Sequence, residues 1–146
     1  VLGVKAGRVA RYAAQELVYH LEKATGARLE IATEGAVPET MKTRVYIGDG
    51  EAVRAAGVKA DALGSEVFTI KTTGDTLFIV GEDGAGDPIS RDTHAGTLWG
   101  VYEWLEQTLK VRWLWPGELG THVPKAATVT TGSLNETAPS LSAGGA

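Results

Sequence analysis

The stretch GTLWGVYEWLEQTLKVRWLWPGELGTHVPK, residues 96–125, contains the pattern that decides the fold. In its first half, apolar residues recur three and four positions apart, as on one face of a helix; they are Leu98, Val101, Tyr102, Leu105 and Leu109. Gly96 and Gly100 lie four apart on this helix, which is predicted to run from about His94 to Leu109. Because glycine weakens a helix by up to ~1 kcal/mol relative to alanine, two glycines indicate close packing against a sheet.

A second helical stripe lies near the start of the chain, between Arg8 and Ala24. Its apolar residues follow the same spacing; they are Val9, Tyr12, Ala13, Leu17, Leu21 and Ala24. Gly26 supplies the helix stop, since glycine readily adopts the left-handed conformation that ends helices. One or two further helical turns are predicted within residues 50–56, ending at Gly57.

Short β-rich runs separate the two long helices. Strands are predicted at residues 28–33, 45–47, 66–72, 76–80, 111–115 and 128–131. Thr73-Gly74-Asp75 between two of these runs is a strong hairpin signal. Because the strands come mostly in pairs, with one long helix early and one late, the predicted fold is α+β. We expect a mixed sheet of about five to seven strands with two main helices packed on it.

The composition excludes several classes of protein. The net charge is −4, and the 14 Lys and Arg residues are scattered, whereas a nucleic-acid binder concentrates basic residues on one face. No apolar run approaches the ~18–20 residues that cross a bilayer, so a membrane partner is not expected. With no cysteine in the chain, disulfides, thiolate metal sites and cysteine nucleophiles are ruled out.

Two segments carry a family resemblance. The segment at residues 96–125, with Arg112-Trp113 followed by Trp115-Pro116-Gly117-Glu118, resembles a segment near the N-termini of α-glucuronidase-like proteins, including glycoside hydrolase family 67. AAQELVYHLEKATGARLEI, at residues 13–31, resembles the opening helix of the same domain. A similar accessory domain precedes the barrel of the family 20 β-hexosaminidases. One departure is Lys110, where the family pattern has glycine.

The resemblance implies an accessory role. In those enzymes the catalytic carboxylates belong to a following (β/α)8 barrel, so no catalytic residue, cofactor or metal is carried over to this chain. Residues 1–131 are predicted to form the accessory domain, and the Ser-, Gly- and Ala-rich residues 132–146 a linker or tail toward the catalytic domain. The expected partner is the barrel of the same parent protein, with polysaccharide as a second candidate. The resemblance favours a secreted or periplasmic location.

The tryptophans are the candidate contact residues. Trp99, Trp113 and Trp115, together with Glu118, are predicted to form a carbohydrate or inter-domain contact. Large apolar side chains mark interfaces, which favours inter-domain packing, and the alternative is a stand-alone carbohydrate-binding module that uses Trp113 and Trp115. The polar loop at residues 81–93 is predicted to contribute to the same contact surface.

Other motifs have plainer explanations. Residues 90–94 include Ser, Asp and His, but a triad needs side chains from separated elements, so a helix N-cap by Asp92 or Thr93 is favoured. Residues 83–87 lack the ligand spacing of a calcium loop. Glu103 and Glu106 on one helix face are predicted to meet solvent rather than a sugar. The three histidines, His20, His94 and His122, show no metal-ligand spacing.

Overall fold

The structure is a computed structural model, and it describes residues 1–64, 66–114, 117–126 and 128–139. Within these ranges there are three α-helices: α1 (Arg8–Thr25), α2 (Glu51–Ala55) and α3 (Gly96–Leu109). The strands are β1 (Arg44–Ile47), β2 (Val67–Thr73), β3 (Thr76–Gly81), β4 (Arg112–Trp113), β5 (Thr121–His122) and β6 (Asn135–Pro139). Short 3-10 turns span Ala60–Ala62 and Glu118–Gly120.

The α+β class is confirmed, with the strands divided between two sheets. The larger sheet is mixed and has the order β1-β3-β2-β6, and β4 pairs with β5 in a separate two-stranded sheet. β1 runs parallel to β3, while β2 is antiparallel to both β3 and β6. The predicted hairpin is confirmed, because Thr73 pairs with Thr76 across a turn in which Gly74 has a φ of 58°.

The core lies on both faces of the larger sheet. Side chains alternate along a strand, so Leu77 and Ile79 of β3 pack under α1 and α3, while Phe78 and Val80 pack with Val53 of α2. β3 is therefore buried on both faces. The two long helices form one covering layer, and the shorter α2 segment covers the opposite face.

The glycines of α3 allow the close packing that the sequence predicts. A Cβ added to Gly100 would lie 2.8 Å from Cγ2 of Ile79, and one added to Gly96 would lie 2.7 Å from the carbonyl oxygen of Val67. Real Cβ atoms essentially never approach other atoms so closely. The helix can therefore rest on β2 and β3 only where side chains are missing.

Both long helices end in left-handed residues. Gly26 caps α1 with a φ of 79°, as predicted. At the end of α3, Lys110 has a φ of 60° and donates its N–H to the carbonyl of Leu105. Lysine therefore occupies a conformation that glycine adopts at less cost, at the position where the family pattern has glycine.

The strand predicted at residues 28–33 is wrong. Only Thr33 bridges to the sheet, through a parallel contact with Leu2, which in turn bridges to Ile47. Leu29 and Ile31 are 47% and 42% exposed, so their alternation with polar residues does not bury an apolar face. Leu2 lies between Ile47 and Thr33, and residues 28–32 lie outside the strand ladder.

The last strand also lies later than predicted. Residues 128–131 are not a strand, and β6 lies at Asn135–Pro139, inside the range predicted as a linker or tail. β6 completes the edge of the sheet beside β2, where the hydroxyls of Thr69 and Thr137 are 2.7 Å apart. The folded domain therefore extends past residue 131. Residues 140–146 lie outside the described residues.

Candidate functional site

The predicted contact residues lie on the outer side of the helical layer. Trp99 projects from α3 and is half-buried, Trp113 lies on β4 with 41% of its surface exposed, and Glu118 is exposed at the start of a 3-10 turn. Trp115 lies outside the described residues. Neighbouring aromatic side chains connect the other predicted residues into one surface.

Five aromatic rings follow one another across this surface, which we call the aromatic strip: Trp99, Tyr102, Trp113, His20 and Tyr19. Successive ring centroids are 5.7, 5.2, 5.7 and 5.1 Å apart, and every pair meets at a steep angle. These are the distances and edge-to-face arrangements that aromatic pairs prefer. The strip is therefore an ordered row of rings, in which His20 is buried and Tyr19 and Trp113 are the most exposed.

Three elements position the strip. Trp99 and Tyr102 lie three residues apart on α3, and His20 and Tyr19 belong to α1, which packs beside α3. The left-handed turn at Lys110 redirects the chain after α3, so β4 brings Trp113 between the two helices' aromatic residues.

Polar groups accompany the rings on α1. His20 is buried, and its Nδ1 lies 2.7 Å from the carbonyl oxygen of Glu16. Since a carbonyl only accepts hydrogen bonds, Nδ1 carries a proton. Tyr12 lies beside Glu16 and Tyr102; burial, followed by Glu16, raises the pKa of Tyr12, and burial raises the pKa of Tyr102. Both phenols therefore remain neutral at ordinary pH.

An ion pair closes the other end of the strip. Nζ of Lys23 lies 2.6 Å from Oε1 of Glu118 and 5.1 Å from the ring centroid of Tyr19. The hydrogen bond from Lys23 lowers the pKa of Glu118. Because both side chains face solvent, the pair adds little to stability, and it leaves two charged groups at the margin of an aromatic surface.

Sequence reasoning missed half of this strip. Tyr102 is predicted only as part of the apolar stripe of its helix, His20 is weighed only as a metal ligand, and Tyr19 and Lys23 are not singled out. A signal exists in the spacing of Tyr12, Glu16, Tyr19 and Lys23, which share one face of α1 at helical intervals. Only the packing of α1 against α3 shows that this face meets Trp113.

The loop at residues 81–93 has a structural role at the start of α3. Oδ1 of Asp83 accepts a hydrogen bond of 2.8 Å from the backbone N–H of Thr97, so Asp83 caps the helix in place of the predicted Asp92 or Thr93. The predicted N-cap is wrong because the helix begins later, after Ala95. Burial raises the pKa of Asp83 to about 6, against the hydrogen bonds from Thr97 that favour the ionised form.

The remaining acidic and imidazole groups are dispersed. Glu103 accepts a hydrogen bond from Gln107, and Glu106 faces Arg112, so the two carboxylates do not act as a pair. His94 pairs with Glu66 at 3.3 Å. Within the described ranges, no group of three or more His, Cys, Asp or Glu residues could hold a metal ion. In the same ranges, no helix has the length and apolar character of a membrane span.

A separate cleft of about 500 Å³ opens at the end of the larger sheet where the β2–β3 turn lies. Its walls come from the end of α1, the start of β1, the β2–β3 turn and residues 129–133. Apolar side chains line much of it, including Leu21, Leu29, Val45, Leu77, Trp104 and Val129.

Chemically, the strip and the cleft are suited to binding. Rings, neutral phenols and an ion pair provide packing area and hydrogen bonds, whereas hydrolysis of a glycosidic bond needs two carboxyl groups that flank the substrate. The described residues bring no such pair together on either surface.

The fold resembles part of a glycoside hydrolase. A solved structure of a family GH115 4-O-methyl-α-glucuronidase with specificity for decorated arabinogalactans matches with a TM-score of 0.55 and 18% identity. The match covers 92% of this chain but only 16% of that enzyme. No protein-family model and no curated protein matches the sequence. At this identity the likeness concerns the fold.

Proposed function

We propose that this chain is a non-catalytic accessory domain of an α-glucuronidase-like glycoside hydrolase, and that the aromatic strip docks against a neighbouring catalytic barrel. The observation that carries the proposal is the structural match, in which nearly the whole chain corresponds to a small part of a glucuronidase. A compact unit that corresponds to one sixth of an enzyme has the dimensions of one domain among several.

The surface of the chain supports the second part of the proposal. The aromatic strip combines Trp113, 41% exposed, with the half-exposed Tyr19 and the solvent-facing pair of Lys23 and Glu118. Interfaces are enriched in Trp and Tyr at their centre and carry polar groups at their rim. We expect the rings to be covered in the parent protein, with the ion pair at the margin.

The test has two parts. The gene beyond the codon for Ala146 should encode a (β/α)8 barrel with two carboxylic acids positioned to flank a glycosidic bond. That barrel, produced separately, should bind the 146-residue chain in calorimetry, and Trp113→Ala should weaken the binding by about tenfold or more, as loss of an interface hot spot does. Met41→Ala is the matched control, because Met41 is 58% exposed in a loop outside the strip.

Two outcomes would contradict this proposal. Hydrolysis of an aryl α-glucuronide by the chain alone would show that it is an enzyme. Equal barrel binding by wild type, Trp113→Ala and Met41→Ala would place the interface elsewhere.

A carbohydrate-binding module remains the second candidate, because Trp113 exposes enough of its ring to stack on a sugar. It predicts saturable binding of xylo- or glucurono-oligosaccharides by the isolated chain, lost in Trp113→Ala or Trp115→Ala without unfolding. No binding, or binding that survives both changes, would reject it. A secreted or periplasmic location also stays a prediction of the family resemblance.

A further inference from the structure

The cleft at the turn end of the larger sheet is distinct from the aromatic strip. Its volume of about 500 Å³ falls in the range of about 300–1000 Å³ that small-molecule sites occupy. It lies between residues 27–29, the β2–β3 turn and residues 129–133. The helices α1 and α3 also line it, through Leu21, Thr25 and Trp104, but none of the five strip rings does.

The lining of the cleft combines an apolar wall with many hydroxyl groups. Leu21, Leu77 and Trp104 lie on the apolar side. Seven threonine and serine side chains also line it, six of them Thr25, Thr43, Thr72, Thr76, Thr130 and Thr131. The hydroxyls of Thr25, Thr72 and Thr131 already take part in hydrogen bonds within the chain. Because hydroxyl groups both donate and accept hydrogen bonds, the remaining four suit a ligand that carries hydroxyls and has an apolar C–H face.

The charges of the cleft argue against an ionic ligand. Among the described lining residues, the charged side chains are Arg44 and Asp75. The guanidinium of Arg44 already donates to the carbonyl oxygens of Met41 and Pro38, at 2.8 and 3.1 Å. A carboxylate or phosphate entering the cleft would therefore meet one guanidinium that already holds two carbonyl oxygens, together with the negative charge of Asp75. Burying a charge that is incompletely paired is costly.

We propose that this cleft binds a neutral saccharide of about one to two pyranose rings. The apolar wall packs against the C–H face of the ring, and the lining hydroxyls other than those of Thr25, Thr72 and Thr131 bond to the sugar hydroxyls. Such a site acts without the aromatic strip and without a neighbouring barrel, so it goes beyond the accessory role.

The experiment titrates the 146-residue chain with xylobiose and xylotriose, using calorimetry and amide chemical shifts. A glucuronic-acid-bearing disaccharide and cyclohexanol serve as the acidic and the apolar comparison. We expect saturable shifts for residues around the cleft with the neutral sugars, and binding weakened by about tenfold or more when the sugar carries a carboxylate.

Two variants test whether the ligand binds in the cleft. Leu29→Trp adds bulk at a position that is 47% exposed, so it should block the cleft and weaken binding about tenfold without unfolding the chain. Thr43→Val removes one hydroxyl at constant size and should weaken it severalfold. Trp113→Ala should leave the affinity unchanged, and thermal melts of each variant show that the fold is intact.

The opposite results overturn the proposal. The proposal fails if neither neutral sugar binds at millimolar concentration, or if cyclohexanol or the acidic sugar binds more tightly than the neutral sugars. It also fails if Trp113→Ala abolishes binding while Leu29→Trp keeps it. Because none of these measurements involves the barrel, failure here is separate from failure of the docking proposal.

Discussion

Helix α3 has two faces that are built by opposite means. The inward face touches the sheet through Gly96 and Gly100, where no further atom fits, and it buries Trp104 to 4% exposure. The outward face carries Trp99 and Tyr102, large rings that remain partly accessible. The same fourteen-residue helix thus buries one tryptophan beside two glycines on its inward side and leaves another tryptophan partly accessible on its outward side.

The difference separates residues needed for folding from residues available for binding. Inward positions are fixed by close packing, in which adding or removing even one methyl group changes stability. Outward rings such as Trp113 remain more exposed than the inward residues, so the fold should tolerate their loss better. We therefore expect substitutions to divide by face, with stability affected on the inward side and association on the outward side.

The largest contrast should come from the two tryptophans. Trp104→Ala should lower the free energy of unfolding by about 3–5 kcal/mol, because it leaves a cavity and removes the hydrogen bond from Nε1 to Thr131. Trp113→Ala should cost only about 1 kcal/mol, the value of its aromatic contacts. Urea denaturation measures both, and equal losses would mean that the strip belongs to the folding core.

Adding one methyl group tests the inward face directly. Gly96→Ala should destabilise the chain by about 2–3 kcal/mol, since the new Cβ would meet backbone atoms of Val67 and Glu82. Gly7→Ala is the control, because an added Cβ there meets nothing within 4 Å. If thermal melts find the Gly96 variant as stable as wild type, the helix does not rest on the sheet as described.

The cap at the start of α3 should make stability depend on pH. Burial raises the pKa of Asp83 to about 6 from an ordinary value of 3.8, so the folded state holds this proton more tightly than the unfolded state. The resulting stabilisation is present below pH ~4 and is lost as pH rises through ~6, by about 3 kcal/mol.

Asp83→Asn keeps an oxygen that accepts from the N–H of Thr97 but cannot ionise. Its unfolding free energy should lack this fall between pH 4 and 6 and exceed that of wild type at pH 7. Parallel stability curves for the two proteins across that range would contradict the assignment.

The smallest effect is expected at the C-terminal end of α3. Lys110→Gly should stabilise the chain by up to about 1 kcal/mol, because glycine adopts the φ of 60° without the steric cost that lysine incurs. Calorimetric melting measures the shift. A lower melting temperature would mean that the lysine side chain contributes more than its backbone costs.

Much of the fold could be predicted from local pattern. The periodicity of α1 and α3, the glycine stop at Gly26 and the turn between β2 and β3 are all encoded in a few neighbouring residues. The packing role of Gly96 and Gly100 could also be predicted, because glycine destabilises a helix unless close packing requires the absence of a side chain. These features depend on contacts made within one element or with its immediate partner.

The failed predictions have a common cause. Residues 28–33 alternate like a strand but lie beside Leu2 at the margin of the sheet, while the polar residues 135–139 form β6 because β2 offers them an edge. The N-cap was misplaced because Asp83 reaches α3 from an earlier segment. In each case the deciding partner is distant in sequence.

The sequence alone determined the helices, the hairpin and the α+β class, because hydrophobic periodicity and turn residues act over a few positions. It also marked Trp99, Trp113 and Glu118 as surface candidates. Only the tertiary structure decided that His20, Tyr19 and Tyr102 join them in one strip, and that Trp104 lines a cleft. Which side chains meet depends on how α1, α3 and the sheet pack together, and that packing is a property of the whole chain.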